Sequence, residues 1–441
     1  MPLLPIIRPT IDDYAGTFGL RGALEDWAWD LSTTYGRNTV GYGVENTLID
    51  ATPSSVDTRY DAGSVRYAQS TTNLELTRAL SYFDETRLAL GAELRTESYG
   101  ITPGTAPGVF IQGFPAFTSI QSTSQSRHDI GAYVDLESDL STNVTLALAG
   151  RGEHYSDVGT VGAGKLALRW EPVRKYALRA SAERGFRAPS LAQSYYSNVG
   201  IDPSLVSFVS SVPLAGAPAL SPERTMTYSA GMAVEPTNAL SVSADVYRVE
   251  VKDRIVLLDD PFKSYSVNGA DTRTNGLDVT ANYAMRLQSA GTLRVTGGLD
   301  LNSTTVTRNA FGGTSALSVV STTRIERGQP RNTLFASGAY QLGDFGALLR
   351  TQHFGEVVVS HGGTQNQQFG ARWITDANVS YTLLRKYTFT AGADNLFDVY
   401  PDSDPFNVPL VGGFSTHSPY STISPFGVGG RFIFARLSIY L

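Results

Sequence analysis

The sequence lacks cysteine and is poor in charge. None of the 441 residues is cysteine, and only 17% are Asp, Glu, Lys or Arg. The absence of thiols fits an oxidising compartment, where stray cysteines are avoided. Hydrophobic residues make up 41% of the chain, and no run approaches the ~18 apolar residues that a transmembrane helix needs. The composition therefore argues against a helical membrane protein.

Features of enzymes and of nucleic-acid-binding proteins are also missing. The formal net charge is -6 and no basic stretch interleaved with aromatic residues stands out, so we predict no nucleic-acid partner. There is no Gly-x-Ser-x-Gly motif and no phosphate-binding glycine loop. The five histidines lack metal-ligand spacing: His128, His154, His353, His361 and His417. We therefore predict no catalytic residue, no metal and no cofactor.

The N-terminal residues do not read as a secretory signal. Met1-Pro2-Leu3-Leu4-Pro5-Ile6-Ile7-Arg8-Pro9 has no basic segment followed by a sustained apolar one, and prolines interrupt it.

The chain is instead rich in the residues of strands and turns. It has 22 Tyr, 20 Phe and 43 Gly, and its mean hydropathy is -0.11. Near-neutral hydropathy is expected when alternate residues of a strand face lipid and a polar lumen. The composition therefore suits a transmembrane β-barrel.

Apolar and polar residues alternate with a period of two in several segments. The apolar sets include Val144/Leu146/Leu148, Leu166/Leu168/Trp170, Leu277/Val279/Ala281/Tyr283 and Ala377/Val379/Tyr381/Leu383. We expect these sets to face lipid, so arginine at Leu146 or Leu168 should block assembly while arginine at Ala147 is tolerated better. The segment Leu240 to Arg254 changes phase after Val246, which predicts a β-bulge or a strand that rises beyond the bilayer.

Short and long connections alternate along the chain. Short turns are expected at 25–26, 83–86, 140–143, 171–175, 235–239, 286–291, 342–345 and 384–386. Between them lie loops near 46–66, 102–122, 191–220, 256–264, 304–329, 355–370 and 399–426, and one short loop at 156–161. This alternation is typical of barrels with short periplasmic turns and long extracellular loops. It predicts about 17 antiparallel strands, from Tyr14–Leu24 to a last strand over Arg431–Leu441.

Several short motifs occur in an order that resembles the barrel of TonB-dependent outer-membrane receptors. The central pair is Gly185-Phe186-Arg187-Ala188-Pro189-Ser190-Leu191 followed by Leu220-Ser221-Pro222-Glu223-Arg224. Further matches are Leu88 to Arg95, Glu153 to Gly159, Thr274 to Asp278 and Asp394-Asn395-Leu396-Phe397-Asp398, and a final strand ending at Leu441. The matches cover nearly the whole chain.

The resemblance implies an all-β, antiparallel transmembrane barrel in the cell outer membrane, with about 17 of the 22 strands typical of the family. It implies a receptor that imports a scarce nutrient of the siderophore, cobalamin or glycan class and has no enzyme activity. The implied partners are outer-membrane lipid, the nutrient ligand and a TonB-type periplasmic coupling protein. Residues 1–441 would form the receptor-like barrel domain alone, incomplete on its N-terminal side and without signal peptide, coupling segment or plug. We expect this piece by itself not to transport.

The expected extracellular loops carry aromatic residues that are candidates for ligand contact, because aromatic side chains give a large contact area at low entropic cost. The candidates are Tyr195, Tyr196, Phe262, Tyr265, Phe354 and Tyr420. Some aromatic residues would instead belong to the girdles at the membrane interfaces. The interval from Ser190 to Ala219 contains no histidine, although haem receptors of the family place one there, and this argues against haem as cargo.

Two other classes of function remain open from the sequence. A passive porin-like or structural barrel would show the same strands and turns, and its conductance in planar bilayers would distinguish it. A barrel-embedded hydrolase would need a Ser-His pair in the lumen, which the sequence does not single out.

Overall fold

The computed structural model describes residues 6–46, 59–81, 85–105, 116–196, 198–202, 207–211, 219–258, 265–361, 366–404, 420–421 and 423–440. Phe262 and Leu441 therefore lie outside the described residues.

The first eight strands are β1 (Ile6–Leu24), β2 (Trp27–Glu45), β3 (Arg59–Leu80), β4 (Glu85–Thr102), β5 (Thr123–Ser141), β6 (Val144–Tyr155), β7 (Gly159–Val173) and β8 (Tyr176–Arg187). They are followed by helix α1 (Leu191–Tyr195), β9 (Asn198–Asp202), β10 (Ser207–Ser211), β11 (Glu223–Val234), β12 (Leu240–Leu257), β13 (Ser266–Arg286) and β14 (Thr292–Asn309). The remaining elements are helix α2 (Val319–Arg327), β15 (Asn332–Leu342), β16 (Phe345–Phe354), β17 (Val357–Ser360), β18 (Asn366–Phe369), β19 (Arg372–Leu383), β20 (Tyr387–Asp394) and β21 (Phe432–Ile439). Short 3-10 turns occupy Ser119–Gln121 and Gln288–Ala290.

Seventeen of these strands form one antiparallel sheet. Each strand pairs with its neighbour in the chain, and β8 pairs with β11 and β16 with β19 across the two small hairpins β9–β10 and β17–β18. Within the described residues, β1 pairs only with β2 and β21 only with β20. The predicted number of strands, their direction and the all-β class are confirmed.

The predicted alternation of connections is also present. Two residues separate the strands of each of the pairs β5–β6, β7–β8 and β15–β16. By contrast, 35 residues separate β8 from β11, and they include α1 and the β9–β10 hairpin. At the β19–β20 turn, Leu384 and Arg385 both take φ 54°, as a tight hairpin matched to the twist of the sheet requires. The short connections all lie at one end of the sheet and the long ones at the other, with the β6–β7 connection the short exception.

The structure corrects several predicted boundaries. β1 begins at Ile6 rather than Tyr14. Pro9 does not interrupt the strand, because β1 pairs on one side only within the described residues and a missing N–H is tolerated on the unpaired side. β3 begins at Arg59, well inside the predicted 46–66 loop, and β14 continues to Asn309 inside the predicted 304–329 loop. β21 is shorter than predicted, spanning Phe432–Ile439.

Apolar side chains of the sheet cover its outer face. Leu166, Leu168 and Trp170 are 49%, 44% and 43% exposed, and the register sets Leu168 directly opposite Leu146. On its other face, β7 carries Lys165, Ala167 and Arg169. The outer face is therefore an apolar belt and the inner face a polar lumen wall, as the period of two predicts.

The strands are longer than a membrane requires. β3 has 22 residues, which at ~3.3 Å per residue and a tilt of ~40° gives a height of about 55 Å. The hydrocarbon core is only ~30 Å thick. The strands therefore continue well beyond the bilayer on the side of the long connections.

The buried apolar residues lie in this extension. Most of them form three small clusters, Val44/Tyr60/Ala62, Tyr99/Ile101/Phe117/Leu191 and Val256/Val267/Ala270/Ala316/Leu317. Each cluster combines strand ends with a connecting segment folded over them. The end of the barrel with the long connections is here called the rim. The three small clusters therefore stabilise the rim.

Candidate functional site

The segment after β8 folds back onto the rim of the lumen. Arg187 is the last residue of β8, and its Nε donates to Glu223 at 2.7 Å. Pro189 is almost fully buried, and Ser190 and Gln193 form a reciprocal capping box that starts α1. Leu191, 1% exposed, inserts into the cluster of Tyr99, Ile101 and Phe117. The Gly185–Leu191 motif therefore ends a strand and anchors a helix.

A buried arginine ties this helix to the barrel wall. Arg127 on β5 donates from Nη1 to the carbonyl oxygen of Pro189 at 2.7 Å and from Nε to Glu97 at 2.7 Å. Asp157 lies 3.5 Å from the same guanidinium, and the Tyr67 hydroxyl donates to Glu97. The Arg127 side chain is only 6% exposed, so its charge depends on these partners.

The ionic network continues along the lumen face toward the membrane. Arg95 donates from Nε to the fully buried Asp129 at 2.9 Å and from Nη2 to the Tyr155 hydroxyl at 3.0 Å. Arg151 bonds Glu153, and Tyr155 donates to Glu153 as well. These strands are therefore locked to one another by interlaced ion pairs, which suits a rigid wall beneath the rim.

Two of the predicted ligand residues lie on α1 and directly after it. Tyr195 packs against the cluster around Phe117. Tyr196 is 45% exposed and meets the Phe117 ring edge-on, with centroids 6.5 Å apart. Burial raises the pKa of the Tyr196 hydroxyl, so it remains a hydrogen-bond donor. Tyr42 also packs against Phe117, with centroids 6.1 Å apart. This group is called the α1 aromatic cluster: Tyr42, Phe117, Tyr195 and Tyr196.

Two further predicted residues meet in a second group on the β16–β19 part of the rim. Phe354 on β16 stands directly opposite Arg372 on β19. The Phe354 ring packs against Phe426, with centroids 5.7 Å apart. Tyr420 stacks on Tyr400 with centroids 5.8 Å apart, and Arg372 Nε donates to the carbonyl oxygen of Tyr400 at 3.4 Å. This group is called the β16 rim cluster: Phe354, Arg372, Tyr400, Tyr420 and Phe426.

Tyr265, another predicted ligand residue, belongs to neither group. Tyr265 packs against the buried Val256–Leu317 cluster and bonds Leu258 through its backbone. Its position is that of a residue closing the β12–β13 connection. Phe262 lies outside the described residues.

A polar recess adjoins the β16 rim cluster. It has a volume of about 260 Å3, and its walls include Arg327, Gln329, Arg331, His353 and Glu356. Arg327 Nη2 lies 3.2 Å from Glu356, and Arg331 donates to the carbonyl oxygen of Glu326. The sequence analysis missed these arginines: Arg327 belongs to α2, which lies within the predicted 304–329 loop, and Arg331 follows that loop.

Other charged side chains of the lumen wall have charged neighbours on the same strand or on adjacent strands. Arg179 Nε donates to Asp245 at 2.6 Å, across the side-chain gap left by Gly231. Arg169 pairs with Glu171 on its own strand. Glu183 stands opposite Lys165, and Asp278 lies in register between Asp245 and Asp300.

No group of three or more metal-ligating side chains occurs within the described part of the chain. No helix there has the length and apolarity to cross a membrane.

A continuous antiparallel wall with an apolar outside, a charged lumen and a folded rim at its long-loop end defines the chain as a transmembrane β-barrel of the receptor type. The model of the family described as "TonB dependent receptor-like, beta-barrel" matches residues 7–396. The chain belongs to this family, whose members are outer-membrane proteins. No curated protein matches it in sequence.

Solved receptors share the fold at low sequence identity. The ferric enterobactin receptor PfeA from Pseudomonas aeruginosa, in a variant form, superposes with a TM-score of 0.70 at 16% identity, over 98% of this chain and 62% of that one. The siderophore receptor PirA from Acinetobacter baumannii gives 0.65 at 13% identity, over 88% and 59%. The FrpB iron transporter from Neisseria meningitidis gives 0.61 at 12% identity, over 89% and 68%. The chain thus spans about six-tenths of the length of the first two.

Proposed function

We propose that this chain forms the barrel of a receptor that imports a ferric siderophore across the outer membrane, with energy from a TonB-type coupling protein. Membership of the TonB-dependent receptor family carries the proposal. The names of three structural neighbours support it, since they are a ferric enterobactin receptor, a siderophore receptor and an iron transporter. The proposed function involves no covalent chemistry.

The rim geometry supports a ligand of this class. Ferric siderophores are bulky chelates with flat or conjugated iron-binding arms, which suit aromatic faces and guanidinium groups. The α1 aromatic cluster and the β16 rim cluster offer both kinds of group at the mouth of the lumen. We infer that Tyr195, Tyr196, Phe354 and Tyr420 make the first contacts with cargo.

A passive porin-like barrel is not favoured. Family membership points to a gated receptor rather than to a diffusion pore. The proposal includes an N-terminal plug and a coupling segment, and these are the parts that would contact the coupling protein.

The test compares rim variants in cells that express the complete receptor. Binding of 55Fe-labelled ferric enterobactin is measured at 0 °C, where transport is arrested, for the double variant Phe354→Ala/Tyr420→Ala. The matched control is Trp373→Ala, because Trp373 neighbours Arg372 on the same strand but faces away from the lumen and is 49% exposed.

We expect the double variant to bind at least tenfold more weakly and the control to bind as the unmodified receptor does. Equal affinity in all three would refute the assignment of the β16 rim cluster. If the receptor bound a ferric trihydroxamate chelate but not ferric enterobactin, the same variants would be tested with that chelate.

A further inference from the structure

A recess lies on the lumen face of the wall, at the end where the short connections lie. It has a volume of about 920 Å3 and is formed by the last residues of β13, the first residues of β14 and the facing residues of β15. Its charged side chains are Arg286 and Arg294, and the amide side chains of Asn238 and Gln341 also line it. No acidic residue of the described chain lines it. It is called the periplasmic recess.

Small side chains beside one arginine create the space. Arg294 on β14 stands between Ala284 on β13 and Ala339 on β15 in the register of the sheet. The next residue, Val295, is 41% exposed on the outer face, so Arg294 faces the lumen. An alanine side chain ends at Cβ, and the two alanines therefore leave room on both sides of the guanidinium.

A second arginine stands next to the first, closer to the periplasm. Arg286 on β13 is opposite Thr292, which lies two positions before Arg294 on β14. Diagonal neighbours of this kind in an antiparallel pair are about 7–8 Å apart. Thr292 is in turn opposite Gln341 on β15. The recess thus presents two neighbouring guanidinium groups, flanked by a hydroxyl and an amide.

The turn that bounds the recess on its periplasmic side is held in place. The Leu287 N–H donates to the carbonyl oxygen of Gly291 at 2.8 Å, and the Tyr340 hydroxyl donates to the carbonyl oxygen of Ala290 at 2.6 Å. Gly291 has φ 91°, a conformation that glycine adopts without steric cost. The β13–β14 turn is therefore tied to β15, and this fixes the backbone next to both arginines.

Neither arginine has an anionic partner. Among the described residues, no ion pair and no side-chain hydrogen bond involves Arg286 or Arg294, and both residues are exposed. The lumen-facing carboxylates of the same strands are distant, since Asp278 is eight residues from Arg286 and Asp300 is six from Arg294. At ~3.3 Å per residue these separations are about 26 Å and 20 Å.

The recess is therefore cationic, within a chain whose net charge is -6. Its two like charges repel each other, and an anion placed between them relieves that repulsion. The carboxylates of the adjoining turns, Glu235 and Asp344, do not line the recess. No side chain that lines it balances the two charges, which favours an anionic ligand.

We propose that the periplasmic recess is a transient binding site for an anionic ferric chelate as the chelate leaves the barrel. Arg286 and Arg294 bind its negatively charged oxygens, since guanidinium groups donate paired hydrogen bonds to such oxygens. The proposal rests on the proposed function, because it requires a cargo that passes through the lumen. The recess lies at the opposite end of the strands from the rim clusters, so it is separate from the first contacts with cargo.

The charge of the recess indicates the class of chelate that it favours. Catecholate arms give a ferric complex a net negative charge, whereas hydroxamate arms leave it neutral. The two arginines attract the first kind of complex and not the second. Because both arginines remain in contact with water, the attraction is weak, and weak binding allows the cargo to leave.

The first test separates binding at the rim from passage through the lumen. Cells that express the complete receptor are given 55Fe-labelled ferric enterobactin, and both binding at 0 °C and uptake at 37 °C are measured. The test variant is Arg286→Gln/Arg294→Gln. The matched control is Arg87→Gln/Arg436→Gln, which removes the same charge from lumen-facing positions on β4 and β21.

We expect the test variant to take up iron at least fivefold more slowly while it binds ferric enterobactin within twofold of the unmodified receptor. The control should stay within twofold of the unmodified receptor in both measurements. The proposal is overturned if the two double variants take up iron at the same rate. It is also overturned if the test variant loses binding and uptake in equal proportion, because the arginines would then support the rim rather than the passage of cargo.

A second test does not depend on the assembly of the arginine variants. Thr292→Cys places a thiol beside both arginines in a chain that has no cysteine. The purified complete receptor is labelled with a maleimide in mild detergent, with and without ferric enterobactin at millimolar concentration. Ser289→Cys, in the adjoining turn, is the control. A neutral ferric trihydroxamate chelate is the control ligand.

We expect ferric enterobactin to slow the labelling of Thr292→Cys at least threefold and to leave the labelling of Ser289→Cys unchanged. The neutral chelate should protect neither thiol. Unchanged labelling of Thr292→Cys would overturn the proposal, and so would equal protection by the two chelates.

The two tests distinguish a failure of the recess from a failure of the proposed function. If the unmodified receptor takes up no ferric enterobactin, the proposed function is wrong for this cargo, and the labelling rates still decide whether the recess binds an anionic chelate. If uptake by the unmodified receptor is normal and protection of Thr292→Cys is absent, only the assignment of the recess is wrong.

Discussion

The direction in which each side chain of the wall points can be tested by placing one charge on either face of β7. Leu166 faces outward and is 49% exposed, and Ala167, the next residue, faces the lumen. Arginine at these adjacent positions has the same backbone surroundings and the same number of atoms. Only the medium that the guanidinium meets differs between the two variants.

The free-energy cost of each arginine depends on how deep the substituted residue lies in the hydrocarbon core. Trp170 marks the periplasmic end of the belt on this strand, and Leu166 lies four residues above it, which at ~3.3 Å per residue and a tilt of ~40° is about 10 Å into the hydrocarbon. Arginine near the midplane costs ~2–4 kcal/mol, or about 30- to 800-fold in the folding equilibrium. Leu168→Arg should cost less, since it lies about 5 Å nearer the interface, and Ala167→Arg least.

The assay is the fraction of barrel in outer membranes that shows heat-modifiable mobility on gels. We expect the folded fraction to fall in the order Ala167→Arg, Leu168→Arg, Leu166→Arg. Equal loss at Leu166 and Ala167, or greater loss at Ala167, would show that the faces are assigned wrongly.

Other expectations follow from the rim and from the topology. Glu97→Ala leaves the Arg127 charge buried without its main partner, so it should destabilise the barrel by about 3–5 kcal/mol, seen as a lower urea midpoint; an unchanged midpoint would mean that the pair contributes nothing. Leu191→Ala removes a fully buried side chain, and we expect a loss of about 2–5 kcal/mol that releases α1 and speeds proteolysis there; unchanged proteolysis would argue against its anchoring role. Because the chain has no cysteine, Ala310→Cys in a long connection should react with an impermeant maleimide on intact cells and Ser289→Cys in a short turn should not, and the reverse pattern would invert the topology.

Sequence reasoning succeeded where a strand's own residues determine the outcome. The period of two fixes which face is apolar, so Leu146 and Leu168 are placed correctly and indeed stand opposite each other. The phase change after Val246 corresponds to the predicted rise of the strand beyond the bilayer, because the register is unbroken there. A predicted β-bulge is also present, but further along the strand. The outward residues turn polar at Arg248, and the β12–β13 register shifts beyond Val251.

The structure of the connections could not be predicted from the local sequence. A helix of five residues such as α1 is too short to be stable alone and forms because Leu191 is buried by residues about 75 to 90 positions earlier in the chain. One local signal was present, since Ser190 and Gln193 have the spacing of a capping box. Arg127 and Glu97 are separated by 30 residues, so their pairing follows only from the strand register.

The candidate site was predictable in part for the same reason. Aromatic residues in connections can be identified from the sequence. Only tertiary packing separates Phe354 and Tyr420, which belong to the β16 rim cluster, from Tyr265, which covers a small core.

The central claim, energy-coupled import of a ferric siderophore, is tested most directly by uptake of 55Fe-labelled ferric enterobactin at 37 °C. The experiment compares cells that lack the receptor gene with cells that carry the complete gene, each with and without a protonophore. We expect uptake only with the gene present and its loss when the protonophore is added, while binding at 0 °C persists. Receptor-dependent uptake that continues at the same rate in the presence of the protonophore would contradict the account and identify a passive pore.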